Sequence, residues 1–105
     1  MWFLCPFPFS DQAGLKKRPA VVISGQKYNA QGVDFIILAI TSRLREPPKL
    51  GEIVIRDWQE AGLIKPSALK PVFAAIEQRL VIRVMGALTP IDLGGLRRVI
   101  ADVIG

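Results

Sequence analysis

The sequence predicts a small, strongly bent antiparallel β-sheet or barrel with one helix at its C-terminal end. Three observations carry that expectation. Short β-branched and apolar runs are separated by proline- and glycine-rich breaks. One run, Phe35 to Ile40, is apolar at every position, as in a strand buried on both faces. From Thr89 onward, Leu96, Val99, Ile100, Val103 and Ile104 repeat at the spacing of an amphipathic helix.

In order, Trp2 to Cys5 reads as a short strand. Prolines 6 and 8 and Gly14 then make a loop that ends basic, at Lys16-Lys17-Arg18. Pro19 to Ser24 is a buried strand, and Pro19, which lacks an N–H for the ladder, belongs at its start. The same proline holds Arg18 extended. Tyr28 to Gly32 is a turn, and the Phe35–Ile40 strand becomes polar abruptly at Thr41-Ser42-Arg43. Glu46-Pro47-Pro48-Lys49 is a rigid linker, and Glu52 to Arg56 reads as a strand. Asp57 with Glu60 reads as a capping box and Gly62 as a stop, so Trp58 to Ala61 is one short helical turn. Ser67 to Ile76 is a strand in which Pro71 requires an edge or a bulge. A turn at Glu77–Leu80 leads to a strand from Val81 to Leu88. Thr89 is placed as N-cap of the last helix, with Pro90 at its first position. Gly94 and Gly95 either weaken its first turns or permit close packing. The sum is five or six short strands and a terminal helix, in one domain spanning residues 1–105.

Half of the 105 residues are hydrophobic, enough for a core, although so short a chain gains from dimerisation. The net charge of +5 favours polyanionic partners, and it is also an ordinary charge for solubility. Cys5 is the only cysteine, which excludes an internal disulfide and fits a reducing cytoplasm. The apolar start lacks a basic region and meets Pro6 quickly, so it does not read as a signal peptide, and no run is long enough to span a membrane. A soluble cytoplasmic protein is expected.

Without histidine, Ser-His-Asp and Cys-His chemistry are excluded, and no cluster of cysteines or carboxylates has metal-ligand spacing. No cofactor or metal is expected. Arginine, lysine and hydroxyl chemistry remains. Arg18, with Lys16 and Lys17 before it, and Thr41, Ser42 and Arg43 at the end of a buried strand, would face one pocket if their strands are neighbours. Such a pocket suits a phosphodiester, through charge-assisted donors and a hydroxyl. The same residues also fit a solvated loop and ordinary strand-end hydrogen bonds, and pattern alone leaves both open.

The stretch Pro6-Phe7-Pro8-Phe9-Ser10-Asp11 followed by Lys16-Lys17-Arg18-Pro19-Ala20-Val21-Val22-Ile23-Ser24 resembles the opening signature of MazF/PemK toxins. Ala39-Ile40-Thr41-Ser42 is similar to the family's second motif. Gly62-Leu63, Pro66-Ser67, Ile76 to Leu80 and Gly86-Ala87-Leu88 follow in the family's order. The resemblance implies an SH3-like antiparallel barrel with a C-terminal helix. It implies a homodimer that cuts single-stranded messenger RNA without a metal, and an acidic antitoxin bound along the active groove. The family's Arg-Pro arginine matches Arg18 and its strand-end hydroxyl matches Thr41. Lys16, Lys17, Ser42, Arg43 and Lys70 are then the candidates for binding RNA, Lys70 standing on the strand where some members carry an acidic residue or arginine. Phe7, Phe9, Tyr28 and Trp58 are candidates for stacking on bases, or else for packing. One rival is a non-enzymatic gyrase poison of the CcdB type, against which the terminal Ala101-Asp102-Val103-Ile104-Gly105 argues. The other is a binding module that no longer cuts.

Overall fold

The computed structural model describes residues 1–6 and 17–105. Six strands and two α-helices follow one another: β1 (Trp2–Pro6), β2 (Lys17–Val22), α1 (Gln26–Asn29), β3 (Asp34–Thr41), β4 (Ile53–Val54), β5 (Ala68–Glu77), β6 (Arg83–Gly86) and α2 (Pro90–Ile104), with a 3-10 turn at Gln78–Leu80. The strands form one antiparallel sheet in the order β4-β5-β3-β2-β1-β6.

The sheet buries apolar side chains on both faces, as the unbroken apolar run of β3 requires: Ile37 and Leu38 are fully buried on opposite sides of it. On one face Trp2, Val21, Leu38, Ile40 and Leu69 pack with Ile55, Leu88 and the helix residues Leu96 and Val99. On the other, Phe3, Cys5, Ala20, Ile37 and Ile76 form a second cluster. Each large side chain so buried contributes about 1.5–3 kcal/mol. The edge strands β4 and β6 are not paired with each other. The barrel closes through the chain after β4, whose turn at 57–63 reaches β6 and β1: the Trp2 indole N–H donates to the Ala61 carbonyl at 2.7 Å. That approach demands a glycine at position 86, because a Cβ there would stand 2.1 Å from the Ala61 oxygen.

Several local expectations change. Pro19 is the third residue of β2 rather than its first. The strand starts at Lys17 because β1 pairs with it from Pro6 onward, while the ladder with β3 begins only at Ala20, beyond the proline. Pro71 sits in a bulge: Leu38 pairs with Phe73 and Ala39 with Lys70, which leaves Pro71 and Val72 unmatched. β4 and β6 are shorter than the runs that announced them. Residues 26–29 form a short helix ahead of the expected turn, pinned where Ser24 Oγ donates to Asn29 Oδ1 and accepts the Ile36 N–H.

Residues 58–61 do turn as expected, and the Leu63 N–H to Trp58 carbonyl and Gly62 N–H to Gln59 carbonyl bonds end the turn with Gly62 at φ +93°. The Asp57 carboxylate does not close a capping box with Glu60; it accepts the Thr89 hydroxyl at 2.8 Å. Asp92, almost fully buried at the start of α2, accepts the backbone N–H groups of Arg56 and Asp57, both at 2.8 Å. Helix α2 starts after Thr89 as predicted, and Leu93, Leu96, Val99 and Ile100 form its inner face. Val103 and Ile104, expected on that face, are exposed. Of the two helix glycines, Gly95 permits close packing, its Cβ position lying 3.2 Å from Ile53, while Gly94 faces open space.

Candidate functional site

β2 and β3 are neighbours, and their register pairs Ala20 with Ala39. Carried on by two residues, that register sets Arg18 across from Thr41, on the sheet face of the two alanines. Both border one cavity of about 290 Å³ at the end of the sheet. Trp2, Leu4, Pro19 and Ile40, of the opposite sheet face, supply apolar walls together with Met85, and Gly62 to Lys65 with Ser67 close it from the turn after β4. Ser42 and Arg43 complete the rim. Among the described residues, every charged one in the lining, Arg18, Arg43 and Lys65, is cationic.

Local structure fixes the hydroxyl. β3 ends at Thr41, and the Arg43 backbone N–H donates to Thr41 Oγ1 at 3.1 Å. This side-chain-to-backbone turn leaves the hydroxyl proton free to be donated outward. Arg18 is exposed, held extended between Lys17 and Pro19 in β2 and paired with Cys5 of β1. Burial pushes the Cys5 thiol up from 9.0 to about 11, so it stays protonated and is no nucleophile.

Of the residues singled out from sequence, Arg18, Thr41, Ser42 and Arg43 meet at the cavity. Lys17 opens β2, exposed, opposite Pro6, and is not in the lining. Lys70 is also outside the lining; it pairs with Ala39, one cross-strand position behind Thr41 on the same face. Lys16, Phe7 and Phe9 lie outside the described residues. Trp58 packs against the core, and Tyr28 stands on α1, away from the cavity lining. Chemical reasoning on the sequence missed Leu63, Ile64, Lys65 and Met85. Leu63, Ile64 and Lys65 were signalled only as a family-like Gly-Leu…Pro-Ser string with no chemistry attached to it, and Met85 by nothing beyond its place in a strand.

Among solved structures, the chain is similar to the Mycobacterium tuberculosis toxin MazF-mt6, at a TM-score of 0.77 and 16% identity over 98% of this chain and 94% of that one. A second solved Mtb toxin is similar at a TM-score of 0.69 and 19% identity, over 80% of this chain and 89% of that one. At these identities the likeness establishes the fold: a six-stranded antiparallel sheet with a C-terminal helix, as in these toxins. None of the curated proteins compared with the chain matches it. Residues 3–104 match the family described as PemK-like, MazF-like toxin of type II toxin-antitoxin system, and the chain belongs to that family.

Proposed function

We propose that this toxin is a metal-independent endoribonuclease that cuts single-stranded messenger RNA at a preferred sequence. The observation that carries the reading is that Arg18 and Thr41, far apart in sequence, border the same cationic cavity. RNA supplies its own nucleophile: the 2′-hydroxyl gives up its proton to solvent and attacks the adjacent phosphorus, the bond to the 5′ oxygen breaks, and that oxygen takes up a proton from solvent, leaving a 2′,3′-cyclic phosphate and a 5′-hydroxyl. Negative charge builds on the phosphorane, and Arg18 meets it with charge-assisted donors, a contribution of about 3–4 kcal/mol. Thr41, its oxygen already held by the Arg43 amide, donates to a phosphate oxygen and fixes the linkage for attack. Ser42, Arg43, Lys17, Lys70 and Lys16 serve as contacts to the backbone on either side. Among the described residues the lining has no carboxylate, and the chain has no histidine, so in this reading charge stabilisation and positioning carry the rate.

The active unit in this reading is a cytoplasmic homodimer, and the cognate antitoxin is an acidic protein that covers the cationic rim. Purified protein should cut single-stranded RNA in excess chelator and leave cyclic phosphate ends. Arg18→Ala should lower cleavage by about 10²–10³-fold with the fold intact. Full activity in that variant overturns the assignment.

A further inference from the structure

We propose that Glu52 is a positioning residue for the cleavage site. Its carboxylate fixes the segment from Ser42 to Leu50 and, through Arg45 and the Arg43 backbone, the orientation of the Thr41 hydroxyl. Glu52 itself touches no substrate. Its effect on rate rests on the ribonuclease reading; its effect on the order of the segment does not.

The connection between β3 and β4 has little else to hold it. Every residue from Ser42 to Leu50 is exposed, so no buried side chain ties the segment to the core. Glu52, the residue before β4, differs: its side chain is only 7% exposed. One carboxylate oxygen accepts the Lys49 backbone N–H at 2.9 Å, and the other lies 3.7 Å from Arg45 Nε, an ion pair longer than a hydrogen bond. The Glu52 N–H in turn donates to the Lys49 carbonyl at 2.9 Å. The carboxylate therefore grips the segment both at its far end and at Arg45, close beyond Arg43.

What is gripped leads back to the cavity. Thr41 Oγ1 accepts the Arg43 N–H at 3.1 Å, and that bond limits where the hydroxyl proton can point. Ser42 and Arg43 stand at the cavity rim. A segment free to swing at Arg45 would carry the Arg43 amide with it and loosen the hydroxyl. The competing role for Glu52 is closure of the turn at residues 49–52, where Gly51 has φ +86°. That turn needs only an acceptor for the Lys49 N–H, and a neutral amide oxygen serves as well. Burying a carboxylate costs free energy that turn closure does not require, and an opposite charge at Arg45 offsets part of the cost. With Arg45 44% exposed, the pair contributes little to global stability, so its role is local.

The test compares wild type, Glu52→Gln, Arg45→Gln and the double variant. Glu52→Gln keeps an oxygen for the Lys49 N–H and removes the charge that faces Arg45. Circular dichroism sets a temperature at which all are folded. Backbone amide relaxation in NMR then reads Arg43: its order parameter should be near the roughly 0.85 of rigid backbone in wild type and below about 0.6 in every variant. In cleavage of single-stranded RNA, kcat should fall by roughly ten-fold in each single variant, and the double variant should be no slower than the singles. KM should not rise in Glu52→Gln, which gains net positive charge beside a polyanion. A loss of kcat that only tracks the folded fraction, with Arg43 still rigid, overturns the proposal in favour of simple turn closure. An Arg43 amide already mobile in wild type, wild-type kcat in Glu52→Gln, or losses that multiply in the double variant overturn it as well. If wild-type protein cuts no RNA, the ribonuclease reading fails, and the relaxation result alone decides whether Glu52 positions Arg43.

Discussion

Replacing Gly86 by alanine puts a methyl group where the structure has no room for one. The added Cβ would stand 2.1 Å from the Ala61 carbonyl oxygen and 3.0 Å from the Trp2 indole nitrogen. The first of these is backbone, so relief requires the 57–63 turn to move away from β6. That movement breaks the 2.7 Å bond between the indole and the carbonyl and leaves a buried donor without a partner. Overpacking costs about 1–3 kcal/mol and the orphaned donor about 1–3 kcal/mol more, together roughly 2–6 kcal/mol. A domain of this size is stable by about 5–15 kcal/mol, so the variant should melt roughly 10–30 °C lower, or fail to fold. Thermal unfolding followed by circular dichroism reads the shift, and tryptophan fluorescence reports the altered Trp2 environment. Gly94→Ala is the matched control: its new methyl meets nothing within 4 Å inside a helix, so it should gain about 0.5–1 kcal/mol. A Gly86→Ala melting point within about 2 °C of the parent would refute the steric argument.

Asp92→Asn replaces one acceptor oxygen by a donor that faces a backbone N–H of Arg56 or Asp57, and should cost about 1–3 kcal/mol in urea unfolding. An unchanged midpoint would mean that the Asp92 bonds contribute nothing net. Cys5 makes stability pH-dependent in the alkaline range. The unfolded thiol ionises above its ordinary 9.0 while the buried one holds its proton to about 11, so its contribution is complete below pH 9 and is lost between 9 and 11. The loss is at most about 2–3 kcal/mol, and the wild-type melting curve should show this fall relative to Cys5→Ala. Parallel pH profiles of the two proteins would remove the effect.

What the sequence reveals, and what it hides, follows from where the forces lie. β3 is readable because burial on both faces demands an apolar residue at every position, and the start of α2 because Thr89-Pro90 has the chemistry of a helix beginning. Pro71 announces its bulge because a missing N–H has to be accommodated. The meeting of Arg18 and Thr41 depends on β2 and β3 being neighbours, which the pattern could pose only as a condition. Sequence gave no sign that Asp57 answers Thr89 instead of Glu60, since local spacing fits both and only the tertiary approach of α2 decides. The outward position of Val103 and Ile104 was hidden for the same kind of reason: helical spacing fixes which residues share a face, but not how far the partner surface extends. The apolar cavity wall at Leu63 and Ile64 carries no periodicity at all, being a loop defined by what it covers.

The placement of β1 bears on how the polypeptide is made. This strand is zipped on one side to Lys17–Val22 and on the other to Arg83–Gly86, so it leaves the ribosome long before its second neighbour exists. Until residue 86 has emerged, one edge of β1 offers unpaired backbone groups to any strand nearby. Nascent chains halted short of that point should therefore aggregate or be degraded rather than accumulate as shortened, folded protein.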